Sequence, residues 1–225
     1  MFTNRGAKQL GDAWVAKTLK VMLLGPDFLP LRTHNVVSDI NSKEISVSGY
    51  VPGYGNAGRL TLGSKTATED DVNHWVVLDA ADPSWPGLGV GTRIGHAAVI
   101  EETGGSDATA LVHGYLRLLA NPATATAGTA NNPARLTVTG HGLTTNDVVF
   151  ISGAAGGTWA TINGLQTVTV IDANTIDLQG VNATGFGVYT GSSASVHRPI
   201  PTNGSPVTVT LDAGGMYTLN VQPAA

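Results

Sequence analysis

Apolar and polar positions alternate most regularly between residues 134 and 180. Leu136 and Val138 are separated by polar neighbours, the period-two signature of a half-buried strand. Gly140-His141-Gly142 marks a turn, Asp147–Ser152 reads as a second strand, and Gly153–Gly157 is a turn of small residues. Leu165–Ile171 alternates again, and Asp172-Ala173-Asn174 supplies turn chemistry before a strand at Thr175–Leu178. This stretch is expected to form a complete small β unit extending to about Tyr189.

The pattern on either side is less regular. Arg5–Thr18 is the best helix candidate, with Leu10 and Trp14 on one face and Gly6 and Gly11 weakening it. Leu19, Val21 and Leu23 predict a strand. Val36–Ile40 fits one helical turn, and Ile45, Val47 and Val51 predict a strand broken at Gly49. Further short strands are expected at Leu60–Leu62, Trp75–Asp79, Ile94–Glu102 and Ala110–Leu119, the last two as an antiparallel pair. Residues 80–92, rich in Pro and Gly, predict an ordered loop.

Two stretches read as linkers. Residues 120–134 hold no bulky apolar side chain and two Asn-Pro steps, and residues 190–195 are all small. Beyond them, Val207–Val221 alternates around Gly214-Gly215 as a hairpin, which needs a larger sheet to join. Its expected partner is the strand at Leu111–Leu118. That pairing makes the first domain discontinuous: residues 1–119 with 198–225 form a base, and residues 120–197 form an inserted β-barrel module. The fold class is therefore mainly β, a β-sandwich or barrel-like base with a short N-terminal helix, interrupted by a small barrel.

Composition sharpens this picture. Charged residues make up 12% of the 225, about half the usual share of roughly 25%. Ten of the twelve basic residues fall before residue 120, scattered singly, as in Lys17, Lys20, Arg59 and Arg93. With a net charge of −4 and no basic cluster, no nucleic-acid partner is expected. The absence of cysteine excludes disulfides, thiolate metal sites and cysteine nucleophiles. MFTNRGAKQL lacks the apolar core of a signal peptide, and Val21–Leu24 is too short to span a bilayer, so no membrane association is expected.

The motifs that point to chemistry are weak. Gly53–Gly58 matches GxGxxG, but Arg59–Gly63 alternates as a strand where a dinucleotide site needs a helix, so a loop at a sheet edge or interface is expected. Glu69-Asp70-Asp71 reads as a solvated turn and not a metal site. His34, His74, His96, His113, His141 and His197 show no metal-binding spacing, and no GxSxG elbow is present. Glu101 and Glu102 are expected on opposite faces of one strand, which does not suit paired acid/base work. No catalytic, cofactor-binding or metal-binding residue is assigned, and no enzymatic activity is expected. The expected interface residues are Tyr54, Trp85 and Trp159, the two tryptophans because Pro and Gly neighbours place them in loops.

Two resemblances extend this reading. The runs FTNRGAKQL, LKVMLLGPDF, GRLTLGSKTATEDDVNHWVVLDAADPSWPGLG, IGHAAVIEET and LVHGYLRL, with PIPTNGSPVTVTLDAGGMYTL, resemble small structural proteins of tailed bacteriophages. In those proteins the last two segments follow each other closely, whereas here residues 120–197 intervene. The inserted unit, through its HGL turn, DVVFISG strand, ING step and TIDLQG return, is similar to a β-barrel module of phage tail and fibre proteins. That module is labelled after the first catalytic-cysteine half-domain of ubiquitin-activating enzymes. Without a cysteine the resemblance implies fold only. Together they imply a virion protein made in the host cytoplasm. The expected role is a capsid decoration or cement subunit, a homo-oligomer, with a trimer favoured, bound to the major capsid protein or other virion proteins. The alternative is a tail, connector or short fibre component that contacts host glycan.

Overall fold

Leu19–Leu24 (β1) is buried along both faces because five of its six residues are apolar. The computed structural model describes residues 4–72, 75–118, 120–190, 194–211 and 217–220. Helix α1 (Asn4–Val15) precedes β1. After two 3₁₀ turns at Val37–Asp39 and Asn41–Lys43 come β2 (Leu60–Thr61), β3 (Thr66–Asp70), β4 (Trp75–Asp79), β5 (Ser84–Trp85), β6 (Arg93–Ile94), β7 (His96–Glu101) and β8 (Leu111–Arg117). Then follow β9 (Ala120–Thr129), β10 (Ala134–Val138), β11 (Val148–Ser152), a 3₁₀ turn at Gly157–Ile162, β12 (Gly164–Asp172), β13 (Thr175–Leu178) and β14 (Ala194–Arg198). The chain closes with β15 (Ile200–Pro201), β16 (Val207–Thr208) and β17 (Tyr217–Asn220). The protein is mainly β, with one short N-terminal helix.

The base is built on an antiparallel sheet in the order β2-β1-β7-β8. One face, carrying Leu19, Val21, Leu23, Ala97 and Val99, shares a core with Ala7 and Trp14 of α1, Val76 and Leu78 of β4, Trp85 and Val207. The other face, carrying Met22, Leu24, Ala98 and Ile100, is covered by Phe28, Val37, Ile40 and Ala110. Helix α1 turns Ala7 and Trp14 inward but leaves Leu10 52% exposed, so the expected Leu10–Trp14 face is rotated. Gly11 sits at the closest approach: a Cβ there would lie 2.8 Å from the Ala67 Cβ. The glycine read as a weakness in the helix is what lets the helix lie on the sheet.

The returning C-terminal segment does not join β8, as the alternation had suggested. It pairs antiparallel with residues 75–94 in three short pieces, Ile200 with Ile94, Val207 with Trp85 and Tyr217 with Leu78. β8 is instead the outer strand of the sheet, bridged only at Leu111 to Val36 on its far side. The turn of the expected hairpin, Gly214-Gly215, lies outside the described residues. The strand expected at Ile45–Val51 is irregular, held by isolated bridges of Glu44 to Leu24 and Val47 to Tyr50. The acidic run at Glu69-Asp70 belongs to β3, where Asp70 accepts a hydrogen bond from the Trp75 indole at 2.9 Å.

Between β8 and β15 lies a closed six-stranded barrel in the order β10-β13-β12-β11-β14-β9, antiparallel throughout. Its alternating strands place Leu136, Val138, Val149, Ile151, Val168, Ile176, Leu178 and Val196 inside. Both expected linkers contribute strands. Residues 120–129 form β9, which closes the barrel between β10 and β14. The small residues of β9 are a packing requirement, because a Cβ on Gly128 would lie 2.8 Å from Tyr189 Cγ and 3.0 Å from Trp159 Cη2. Pro122 is tolerated at a bulge, where two residues of β9 oppose His197 alone. The second linker gives way to β14 from Ala194 onward, and residues 191–193 lie outside the description.

Candidate functional site

The charges read as singly scattered are gathered by the fold. Arg59 follows the GxGxxG loop and its side chain is wholly buried. Its Nε and Nη2 donate to the two oxygens of Glu44 at 2.9 and 2.7 Å. Nη1 and Nη2 donate to the two oxygens of Asp107 at 2.6 and 3.0 Å, and Nη1 also reaches Glu102 at 3.1 Å. All five guanidinium protons are thus directed at carboxylates, the fork geometry for which arginine is suited. Lys20 adds a second cation on Glu102 at 2.5 Å.

This cluster decides the fate of the glycine-rich loop. The Gly53 amide donates to Glu44 and the Gly55 amide to Glu102, each at 3.1 Å. A phosphate-binding loop needs its amides free for an anion, and these are bonded to carboxylates. The segment after the loop is β2, a strand. The loop is therefore a tied corner of the base, with Tyr50 bridging it to β1 by donating to Glu44 and accepting from the Leu23 amide.

Burial alone would raise the Glu102 pKa, but the bonds from Lys20 and the Gly55 amide outweigh it and hold the carboxyl below its usual range. Arg59 holds Asp107 low through its hydrogen bonds, which exceed the opposing effect of burial. Glu101 points elsewhere: burial would raise it, and Lys17 with His113 brings it down. The neighbouring glutamates serve separate groups, Glu101 as the last residue of β7 and Glu102 just beyond the strand expected to contain both.

The expected interface residues are placed differently. Trp85 is 1% exposed, with its indole N–H donating to the Gly58 carbonyl at 2.7 Å. Trp159 is 0% exposed, donates to the Gly187 carbonyl at 3.1 Å, and lies edge-on to Phe186 and Tyr189. Neither ring is available to a partner or a sugar. Trp85 lies in β5, paired with Val207, and the groups that meet each indole come from elsewhere in the chain, Tyr50 and Gly58 for Trp85 and Phe186 to Tyr189 for Trp159. Tyr54 is half-buried against the Phe28 and Val37 cluster, and its hydroxyl accepts from the Gly105 amide at 3.1 Å.

The histidines are dispersed. His141 is buried in its turn, accepting from the Leu143 amide at Nδ1, which leaves Nε2 to donate to the Asp172 carbonyl at 2.8 Å. His113 meets Glu101, and His74 lies outside the described residues. His197 stands 3.4 Å from the Ser152 hydroxyl, but no carboxylate orients its other nitrogen among the described residues. Burial and then the Arg117 charge lower its pKa, which weakens it as a base. No group of three His, Asp or Glu suited to a metal ion occurs among the described residues.

A cleft of about 700 Å³ lies where the barrel meets the base. Ser42, Lys43 and Ser46 line one wall, and Thr144, Thr145 and Asn146 the other. Arg93 of the base spans it, paired with Asp147 and donating to Thr144 Oγ1 at 2.8 Å. Nearby, the Arg117 guanidinium of β8 lies 3.9 Å above the Phe150 ring of the barrel. These contacts form a seam between two bodies whose chain connections are the neighbouring pair Ala120 and Arg198. No family model matches this chain, and no curated protein matches it.

Proposed function

We propose that the chain is a structural component of a bacteriophage virion, acting as a capsid decoration or cement subunit. The observation that carries this reading is the insertion itself. The base closes through pairing of residues 75–94 with 200–220, and the barrel is attached by two adjacent strands. A body built this way can sit on a lattice while presenting a second body to solvent or to a neighbour. The resemblance of the base segments to phage structural proteins, and of the barrel to a tail and fibre module, supports the same assignment.

In this reading the base is the part that docks. β8 is the outer strand of its sheet, covered by residues 35–37 at its Leu111–Val112 end and with no strand paired to its outer side from His113 onward among the described residues, and Tyr54 offers a half-buried ring on the same cluster; these features suit edge pairing with the major capsid protein or with other copies of the chain. A trimer is the symmetric arrangement favoured on a lattice with threefold positions. The second reading, a tail or short fibre component, is favoured by the barrel's resemblance. Burial of Trp85 and Trp159 takes those two rings out of any glycan contact.

Quantifying the chain in purified particles separates the two. Copies on the order of hundreds per particle are expected for a decoration subunit, whereas about six or twelve would place it in the tail and contradict the capsid assignment.

A further inference from the structure

His96 lies in β7 where the barrel rests on the base, and it is 3% exposed. Neither ring nitrogen makes a hydrogen bond of normal geometry. The imidazole stands edge-on to Phe28, 5.3 Å between ring centres, and borders a cavity of about 60 Å³. Pro26 and Phe28 from the base and Val148, Phe150 and Leu165 from the barrel share that lining. An apolar side chain would fill this position at lower cost, since an unpartnered buried polar group is destabilising. What a histidine adds there is the capacity to acquire charge.

The surroundings give that charge no counter-ion. Of the lining residues, only His96 and Arg117 can be positive and none can be negative. Arg117 has no ion-pair partner among the described residues and is held over the Phe150 ring. His197 also neighbours Phe150, tilted against it with 6.0 Å between ring centres. His34 and Tyr115 pack around Phe28 without a carboxylate between them, and Asp39 acts on Tyr115. The acids adjacent in sequence to the lining are engaged: Asp27, beside Pro26, pairs with Lys43, and Asp147, beside Val148, pairs with Arg93. Arg198, next to Pro199, donates to the His141 carbonyl.

We propose that the seam is a proton-operated hinge: protonation of His96 puts a second positive charge beside Arg117 and frees the barrel to swing about the Ala120–Arg198 pair. Only Pro199, whose ring fixes its φ, separates β14 from β15, so the movement is a rigid-body one about a short connection and both bodies keep their own strand pairing. The cleft flanking the seam gives the barrel room to move. Burial, and then the Arg117 charge, push the His96 imidazole down to about 4, with the Gly25 backbone acting weakly the other way. The seam is therefore closed at neutral pH and opens in acid. This hinge does not depend on the virion assignment.

The chain has no cysteine, so Ser46→Cys in the base and Ala173→Cys in the barrel, both exposed, allow a specific fluorophore pair. Energy transfer is expected to fall between pH 7 and about pH 4 with the far-ultraviolet circular dichroism unchanged. It is expected to stay flat in the same pair carrying His96→Leu, and also in His96→Gln should the leucine variant fold poorly. Flat transfer in the parent, an equal fall in the His96 variants, or a fall only with loss of secondary structure would overturn the hinge.

Discussion

Replacing Arg59 by Met is expected to destabilise the protein by about 3–5 kcal/mol at neutral pH, measured by chemical denaturation. The loss does not come from a single weak surface pair. Glu44 is 2% exposed, Glu102 8% and Asp107 15%, and all three direct oxygens at this guanidinium. Removing it leaves three carboxylates close together with Lys20 as the remaining cation. Total stabilities of domains lie at about 5–15 kcal/mol, so this is a large fraction. Arg59→Lys is expected to fall between, because an ammonium cannot occupy two carboxylate forks at once.

Acid provides the control. Glu102 and Asp107 are held below their ordinary values of 4.5 and 3.8 in the folded protein. A lowered folded pKa means the unfolded chain binds the proton first. The associated stability is present above those ordinary values and is lost as pH falls through the lowered ones. The parent should therefore weaken below about pH 4. The deficit of Arg59→Met should narrow over the same range, as the stranded carboxylates are neutralised. A deficit independent of pH would mean that lost packing, and not uncompensated charge, is the cause.

Replacing Trp159 by Ala is expected to cost the barrel about 3–5 kcal/mol. The indole is completely buried, its N–H is bonded to the Gly187 carbonyl, and Phe186 and Tyr189 both contact it edge-on. Each such aromatic contact contributes about 0.5–1.5 kcal/mol beyond area burial. Gly128 on β9 has no side chain with which to fill the space left behind. The effect should stay within residues 120–198, because the base core shares no buried residue with the barrel core. Hydrogen exchange should accelerate in β9–β14 while β1 and β7 keep their protection. Uniform acceleration across both bodies would contradict independent cores.

The elements legible in the sequence were those whose information is local. β10, β12 and β13 were visible because large apolar residues alternate within each strand, and β4 because WVVLD is strongly β-prone. β9 reads as a linker because its inward positions must be small, and the reason lies at Trp159 and Tyr189, 31 or more residues away by the numbering. Composition alone cannot separate a strand kept small by a neighbouring indole from a flexible connector. Trp85 and Trp159 were misplaced for the same reason: the partners that bury them, Gly58 and Gly187, come from other loops.

The Arg59 cluster was the feature least accessible to pattern reading. Its acids lie 15, 43 and 48 residues from the arginine, so no window contains them. A usable signal was present in the low charge content. In a chain with few ions, a lone arginine at the end of a glycine-rich loop is a candidate for burial with partners. That the C-terminal segment needs a sheet to join was legible from its alternation. The strand it joins was not, because β8 and residues 75–94 are both suitable β segments and only the antiparallel path of residues 200–220 distinguishes them.

Joining residue 118 directly to residue 199 through a short Gly-Ser link tests most directly whether the base closes across the barrel. Ala120 and Arg198 are paired neighbours, so the join bridges a gap the fold already closes. The shortened chain is expected to unfold cooperatively with a dispersed amide spectrum, while residues 1–118 alone, lacking the strands that pair with β4, β5 and β6, should not. A folded 1–118 fragment beside an unfolded joined chain would contradict the discontinuous base and, with it, the reading of the barrel as an inserted body.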